Sequence, residues 1–152
     1  MIGKSDDLTI LKTLTSTLND SIKGFRDSAE HVDSQEFRQM FTQFASQREE
    51  AAADLKAEVR RLGGNPDEDG STLGSLHQTW VDLKSAITGR NDKAIINEVE
   101  RGEDYLKGKF ETALNDGDIA PECRAAVERA YQSVREGHDR VSELKHSLST
   151  NA

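Results

Sequence analysis

Apolar residues recur every three or four positions along most of the chain, the spacing that stacks side chains on one face of an α-helix. The first stripe reads Leu11, Leu14, Leu18, Ile22, Phe25, Ala29 and predicts a helix over about 7–31. A second, Phe37, Phe41, Phe44, Ala51, Leu55, Val59, Leu62, predicts one over about 35–62. A shorter stripe of Leu73, Leu76, Trp80, Leu83 and Ile87 marks a helix near 73–88. Two long ones follow. Ile96, Val99, Glu103, Leu106, Phe110, Ala113 predicts a helix over 92–115, and Val127, Tyr131, Val134, His138, Val141, Leu148 predicts one over 121–148. No stretch alternates in the strand pattern, so the chain reads as all-α.

The breaks between stripes carry their own chemistry. Asp6 and Asp7 suit the positive start of the first helix, and Ser34 is placed to cap the second. Gly63-Gly64-Asn65-Pro66 ends the second helix, because glycine accepts a left-handed cap and proline cannot continue the helix. Asn91-Asp92 caps the next, Asn115–Asp118 turns the chain, and Pro121 fits a first helical turn. The tail from Ser149 is expected to fray. So short a turn at residues 32–34 makes the first two long helices an antiparallel hairpin, and the last two form another. The connection between the hairpins is long and holds the 73–88 helix. Two hairpins joined by one long crossover are the ferritin-like bundle arrangement, with the second and third long helices parallel. The whole chain, 1–152, is expected to be one such domain.

A weak internal repeat fits two related hairpins. Ser46-Gln47-Arg48-Glu49 matches Ser133-Val134-Arg135-Glu136 at an offset that also lays Ala51 over His138 and Phe44 over Tyr131.

Composition narrows the function classes. The chain has 152 residues, 34% hydrophobic and 32% charged, so its apolar residues suffice for one core only because they are periodic. Basic residues number 20 and acidic 28, a net charge of −8. Every Lys/Arg grouping has acids beside it, Arg60-Arg61 next to Glu58 being the densest, so neither nucleic acid nor an anionic membrane surface is an expected partner. No apolar run reaches membrane-spanning length, and a cytoplasmic protein is expected. Cys123 is the only cysteine, which excludes an intramolecular disulfide and a cysteine-rich zinc site. It is expected as a small apolar residue in a first helical turn. There is no phosphate-binding glycine loop, and no serine, cysteine and histidine arrangement suited to covalent catalysis.

The candidate chemistry lies where ionisable residues interrupt apolar stripes. Glu103 and His138 both fall on core-facing seams, and a charge on such a seam requires a partner. A buried polar cluster completed by Arg48, Arg135, Tyr131 or Gln47 is one reading. A metal site using Glu103, His138 and a neighbour such as Glu100 or Gln47 is another, with iron, manganese or zinc as the ion. Glu100, Glu103 and Asp104 around Gly102 read as a solvated acidic face. Gly102 and Gly108, each destabilising in a helix interior by about 1 kcal/mol, read as points of close helix approach, with Gly137 as the matching contact. Trp80 reads as core. His31, His77 and His146 fall near element ends or polar faces.

The segments His77–Asp104, Gly24–Glu30 (GFRDSAE) and Arg60–Pro66 (RRLGGNP) resemble a bacterial family of ferritin-like four-helix-bundle proteins whose domain has no assigned function. The resemblance extends from about Leu8 to Leu144. It implies the four-helix fold and leaves the chemistry open. The wider ferritin-like superfamily implies a test: its di-iron members take a Glu from each of two helices and a Glu-x-x-His pair from each of the other two. In this chain Glu103 and His138 fit that pattern. Arg135 stands where a Glu should precede His138, Ala51 stands at the other histidine position with Arg48 before it, and Ile22 holds the first-helix seam while Asp20 lies round the helix from it. Arginine stays protonated and offers no lone pair to a metal. The expectation is therefore a non-enzymatic binding or assembly protein with no catalytic residues and no cofactor, set in stress physiology by resemblance alone. The alternative is a metal-binding redox protein with a degenerate site, in which Tyr131 is a nearby phenol and Glu100 or Glu50 an added carboxylate. A homodimer is compatible with the pattern, although no unbroken apolar stripe on the exposed faces forces one.

Overall fold

A computed structural model of the protein describes residues 4–66 and 91–150, and these form four long helices. They are α1 (Lys4–His31), α2 (Gln35–Arg61), α3 (Asp92–Leu114) and α4 (Pro121–Thr150). The helix expected at 73–88, with Trp80 and His77, lies outside the described residues. Helix α1 starts three residues earlier than its stripe suggested, and α4 continues to Thr150, through Ser149 where fraying was expected.

The caps follow from the sequence. The Ser34 side chain accepts the Phe37 N–H at 3.2 Å, and Asn91 accepts that of Ala94 at 3.3 Å. At the end of α2 the Gly63 and Gly64 N–H groups return to the carbonyls of Arg60 and Val59, both at 2.9 Å. Gly63 has φ of 85°, the left-handed conformation that glycine adopts without penalty. Gly64 has a different reason to lack a side chain: a Cβ there would come within 2.6 Å of Leu8 on α1.

Polar contacts between helices set their directions. Ser21 meets Glu103 while the backbone at Asp33 and Ser34 meets Asp92, so α1 and α3 are antiparallel. Arg48 reaches Val134 and Asp54 reaches Arg129, so α2 and α4 are antiparallel. His138 meets Asp104 and Lys145 meets Glu100, which makes α3 and α4 antiparallel as well. Packing joins α1 to α2, α3 to α4, α2 to α4 and α1 to α3, whereas the backbones of α2 and α3 do not approach closely among the described residues. The four therefore stand at the corners of a square, with α2 and α3 parallel across a diagonal and Leu62 and Asn91 at opposite ends of the bundle.

The core fills the centre of that square. Phe25 stacks on Phe41 at 5.8 Å between ring centroids and tilts against Phe44 at 5.4 Å. Leu11, Leu14, Leu18, Leu55, Ile95, Ile96 and Leu106 are fully buried around them. The described residues contain no helix long and apolar enough to cross a membrane.

Candidate functional site

One charged group from each of two diagonal helices meets at the bundle centre. Arg48 on α2 is 1% exposed and Glu103 on α3 is 0% exposed, and their side chains form a two-pronged ion pair. One terminal guanidinium nitrogen donates to Glu103 Oε2 at 2.9 Å and the other donates to Oε1. The planar fork of arginine matches the two oxygens of a carboxylate, the strongest hydrogen-bonding arrangement two side chains can make.

Helices α1 and α4 complete the pair. Ser21 on α1 accepts from Arg48 at 2.6 Å and donates to Glu103 Oε2 at 3.4 Å. On α4 the carbonyl of Val134 accepts from Arg48 at 3.3 Å. The ring of Phe25 lies beneath the guanidinium, 5.1 Å from its centroid to Cζ. Gly137 supplies the room: a Cβ on it would overlap the Arg48 guanidinium and approach Glu103 Oε1 to 3.3 Å. A charge this deep is tolerable only when it is both paired and saturated with hydrogen bonds, and every helix contributes to that saturation.

His138 belongs elsewhere. Its ring is half-buried at the α3–α4 seam, with Nε2 at 2.5 Å from Asp104 of α3 and Nδ1 at 3.1 Å from Asp139 of α4. Burial lowers its proton affinity, but the hydrogen bonds to the two carboxylates outweigh this and leave it raised above the ordinary imidazole value. The same seam carries two further cross-helix contacts. Lys145 donates to Glu100 at 2.9 Å, and Tyr131 donates to Glu111 at 2.8 Å with its ring stacked on Phe110. Burial and the Glu111 carboxylate both raise the tyrosine's proton affinity, and the Glu100 contact raises that of Lys145.

The residues singled out in the sequence are thus divided. Glu103 and Arg48 are joined, while Glu103, His138 and Glu100, considered together as metal ligands, take three different partners: Arg48, the Asp104–Asp139 pair and Lys145. Arg135 and Glu50 are exposed, Tyr131 faces outward to Glu111, and Gln47 is half-buried beside Arg48 on α2. The buried cluster therefore excludes Arg135 and Tyr131, because an α-helix turns about 100° per residue and both project to the edge of their face. Among the described residues no three His, Cys, Asp or Glu side chains converge closely enough to hold a metal ion.

The glycines also separate. Gly102 is buried on α3, whereas a Cβ on Gly108 would meet nothing within 4 Å among the described residues, so none of the four helices approaches closely there. Gly137 makes room for a guanidinium rather than for a facing glycine. Ser21 escapes the apolar pattern because it sits one position from the α1 stripe; its signal is the polar run Thr17, Ser21, Ser28 at helical spacing, all buried. Asp104 is solvent-exposed, in keeping with a solvated acidic face, and it also holds Nε2 of His138.

At the end of the bundle where α1 and α4 begin and α2 finishes, Cys123 is buried as expected. Burial, reinforced by the carboxylates of Asp7 and Glu58, pushes its thiol up to about 12. Such a thiol is a packing residue and not a nucleophile. Glu58 is held by Arg61 through two hydrogen bonds of 2.7 and 2.6 Å.

A family described as a domain of unknown function (DUF2383) matches residues 6–116, a span covering all of α2 and α3 and nearly all of α1, and the chain belongs to that family. No curated protein matches the chain. Helix α4, with Val134 and Gly137, lies beyond the matched span.

Proposed function

We propose that this member of a family without an assigned function works by binding or assembly and not by catalysis, and that its bundle is a ferritin-like one whose metal position has been replaced by an ion pair. The observation that carries the reading is the Arg48 guanidinium across both oxygens of Glu103. In a ferritin-like site that glutamate belongs to the metal. Here both its oxygens are occupied by a permanent cation with no lone pair to donate. Parallel α2 and α3 on one diagonal support the ferritin-like relationship. A stress-related setting rests on resemblance and nothing further.

Elemental analysis of the protein purified without chelator, before and after incubation with Fe(II), Mn(II) and Zn(II), tests this. Metal content is expected to stay below about a tenth of an equivalent per chain, because the donor set lacks the convergent carboxylates and imidazoles that these ions need. Stoichiometric metal that disappears in both Glu103→Ala and His138→Ala overturns the reading. The histidine variant guards against misreading a folding defect, since His138 is at the surface seam.

A further inference from the structure

Two adjoining grooves, of about 590 and 570 Å³, run along the outer seam of α1 and α2 and share Arg26 and Glu30. They exist because the seam is built from short side chains. Ala29, Ala45 and Ala52 form the floor, and Ala53 stands exposed on the wall. Longer residues would have filled the trough.

Most of the charges along it separate by sign, and the exception, Arg38 at the acidic end, turns its guanidinium to the carbonyls of Ala29 and Val32 at 3.1 Å each. Arg26 bridges to Glu49 across the middle of the seam. The helices are antiparallel, so Lys23 and Lys56 stand on one side of this bridge, and Asp27 and Glu30 stand on the other. Among the described residues these four side chains form no ion pair within their own chain, although Lys23 and Asp27 are one helical turn apart. A seam with unpaired positive charge at one end and unpaired negative charge at the other matches its own reverse.

We infer that the α1–α2 face is a self-complementary docking surface on which a second copy of this chain packs antiparallel about a twofold axis near Arg26 and Glu49. Lys23 of each copy then faces Asp27 of the other, and Lys56 faces Glu30. This is the isologous contact of a closed dimer, in which every pair occurs twice. The alanine floor lets the two hairpins approach closely. Size is also sufficient. Helix α1 has 28 residues, and a face about 40 Å long and about 20 Å wide presents roughly 800 Å², the area each partner contributes to a standard specific interface. The inference rests on the binding-or-assembly reading above and names the partner as the chain itself.

Sedimentation equilibrium of the full chain from micromolar to millimolar concentration is the experiment. A reversible monomer–dimer equilibrium is expected. Lys23→Asp and Asp27→Lys should each weaken it about tenfold or more, since each places like charges opposite one another twice. Combining the two restores opposite signs across the axis, so the double variant should regain most of the lost affinity. Ala53→Arg should abolish the dimer by filling the trough. All three positions lie at the surface, and circular dichroism confirms that each variant remains helical. A monomer at every concentration overturns the inference. So does a dimer indifferent to both charge reversals, or a double variant no better than the singles. A metal-free monomer overturns self-association alone, whereas stoichiometric metal overturns the reading beneath it.

Discussion

Glu103 and Asp104 are adjacent in sequence, equal in charge, and opposite in circumstance. Glu103 turns into the bundle, loses all contact with water and meets Arg48. Asp104 turns outward by one residue's rotation, keeps 59% of its surface and meets His138. Both are acid–base pairs spanning two helices. In water-screened surroundings such a pair contributes little, because solvent and salt already satisfy each partner. In the dry centre neither partner has an alternative, so the pair becomes an all-or-nothing feature. Burial, more than chemistry, assigns each pair its weight.

The largest break in this comparison comes from removing one buried partner. Arg48→Ala or Glu103→Ala leaves a charge without water or counter-ion, and chemical denaturation should show a loss of about 3–5 kcal/mol. The paired replacement Arg48→Met with Glu103→Leu should be far milder than either single change. If the double variant is as unstable as the singles, the cost lies in lost shape and not in stranded charge.

Gly137→Ala comes next. Its methyl group collides with the guanidinium, so the pair must shift or the helices must part, at about 1–3 kcal/mol by denaturation. An unchanged stability would mean that the bundle centre is softer than its contacts imply.

The surface pair should give the smallest effect, and one that depends on pH. His138 binds its proton more tightly folded than unfolded, so its contribution is complete below the ordinary imidazole value near 6.5 and is lost as pH rises through the raised folded value. The difference in stability between wild type and His138→Gln should be at most about 1 kcal/mol at acidic pH and should vanish at alkaline pH. Added salt should shrink it further, whereas the Arg48–Glu103 contribution should hardly respond. A salt-insensitive histidine contribution would place His138 deeper than the seam.

The pattern of the chain makes the helices legible because burial selects a face and a face has a period. Ser34, Gly63 and Asn91 announce their turns for equally local reasons. Glu103 is legible as a buried acid on the same grounds. Its partner is not, since periodicity places a residue on a face without saying which facing side chain it reaches. Arg48 and His138 both pointed toward the core in projection. Arg48 is long enough to cross the bundle to α3, and His138 is short enough to stop at its edge. Gly137 shows the same limit: a missing side chain reads as close helix approach, and only the packed structure shows that the space belongs to an arginine.

The contacts of the buried pair also bear on the order in which the bundle assembles. Ser21 and Glu103 are 82 residues apart in sequence, Arg48 and Glu103 are 55 apart, and Arg48 and Val134 are 86 apart. None can form within a single hairpin, and a half-made set would strand a charge. The pair is therefore expected to close late, after the transition state has already gathered most of the apolar surface. Interactions made late resist unfolding without hastening folding. Weakening this one is expected to shorten the lifetime of the native bundle while leaving its rate of refolding nearly unchanged, so that the charges at its centre act as a latch on a door that swings shut without them.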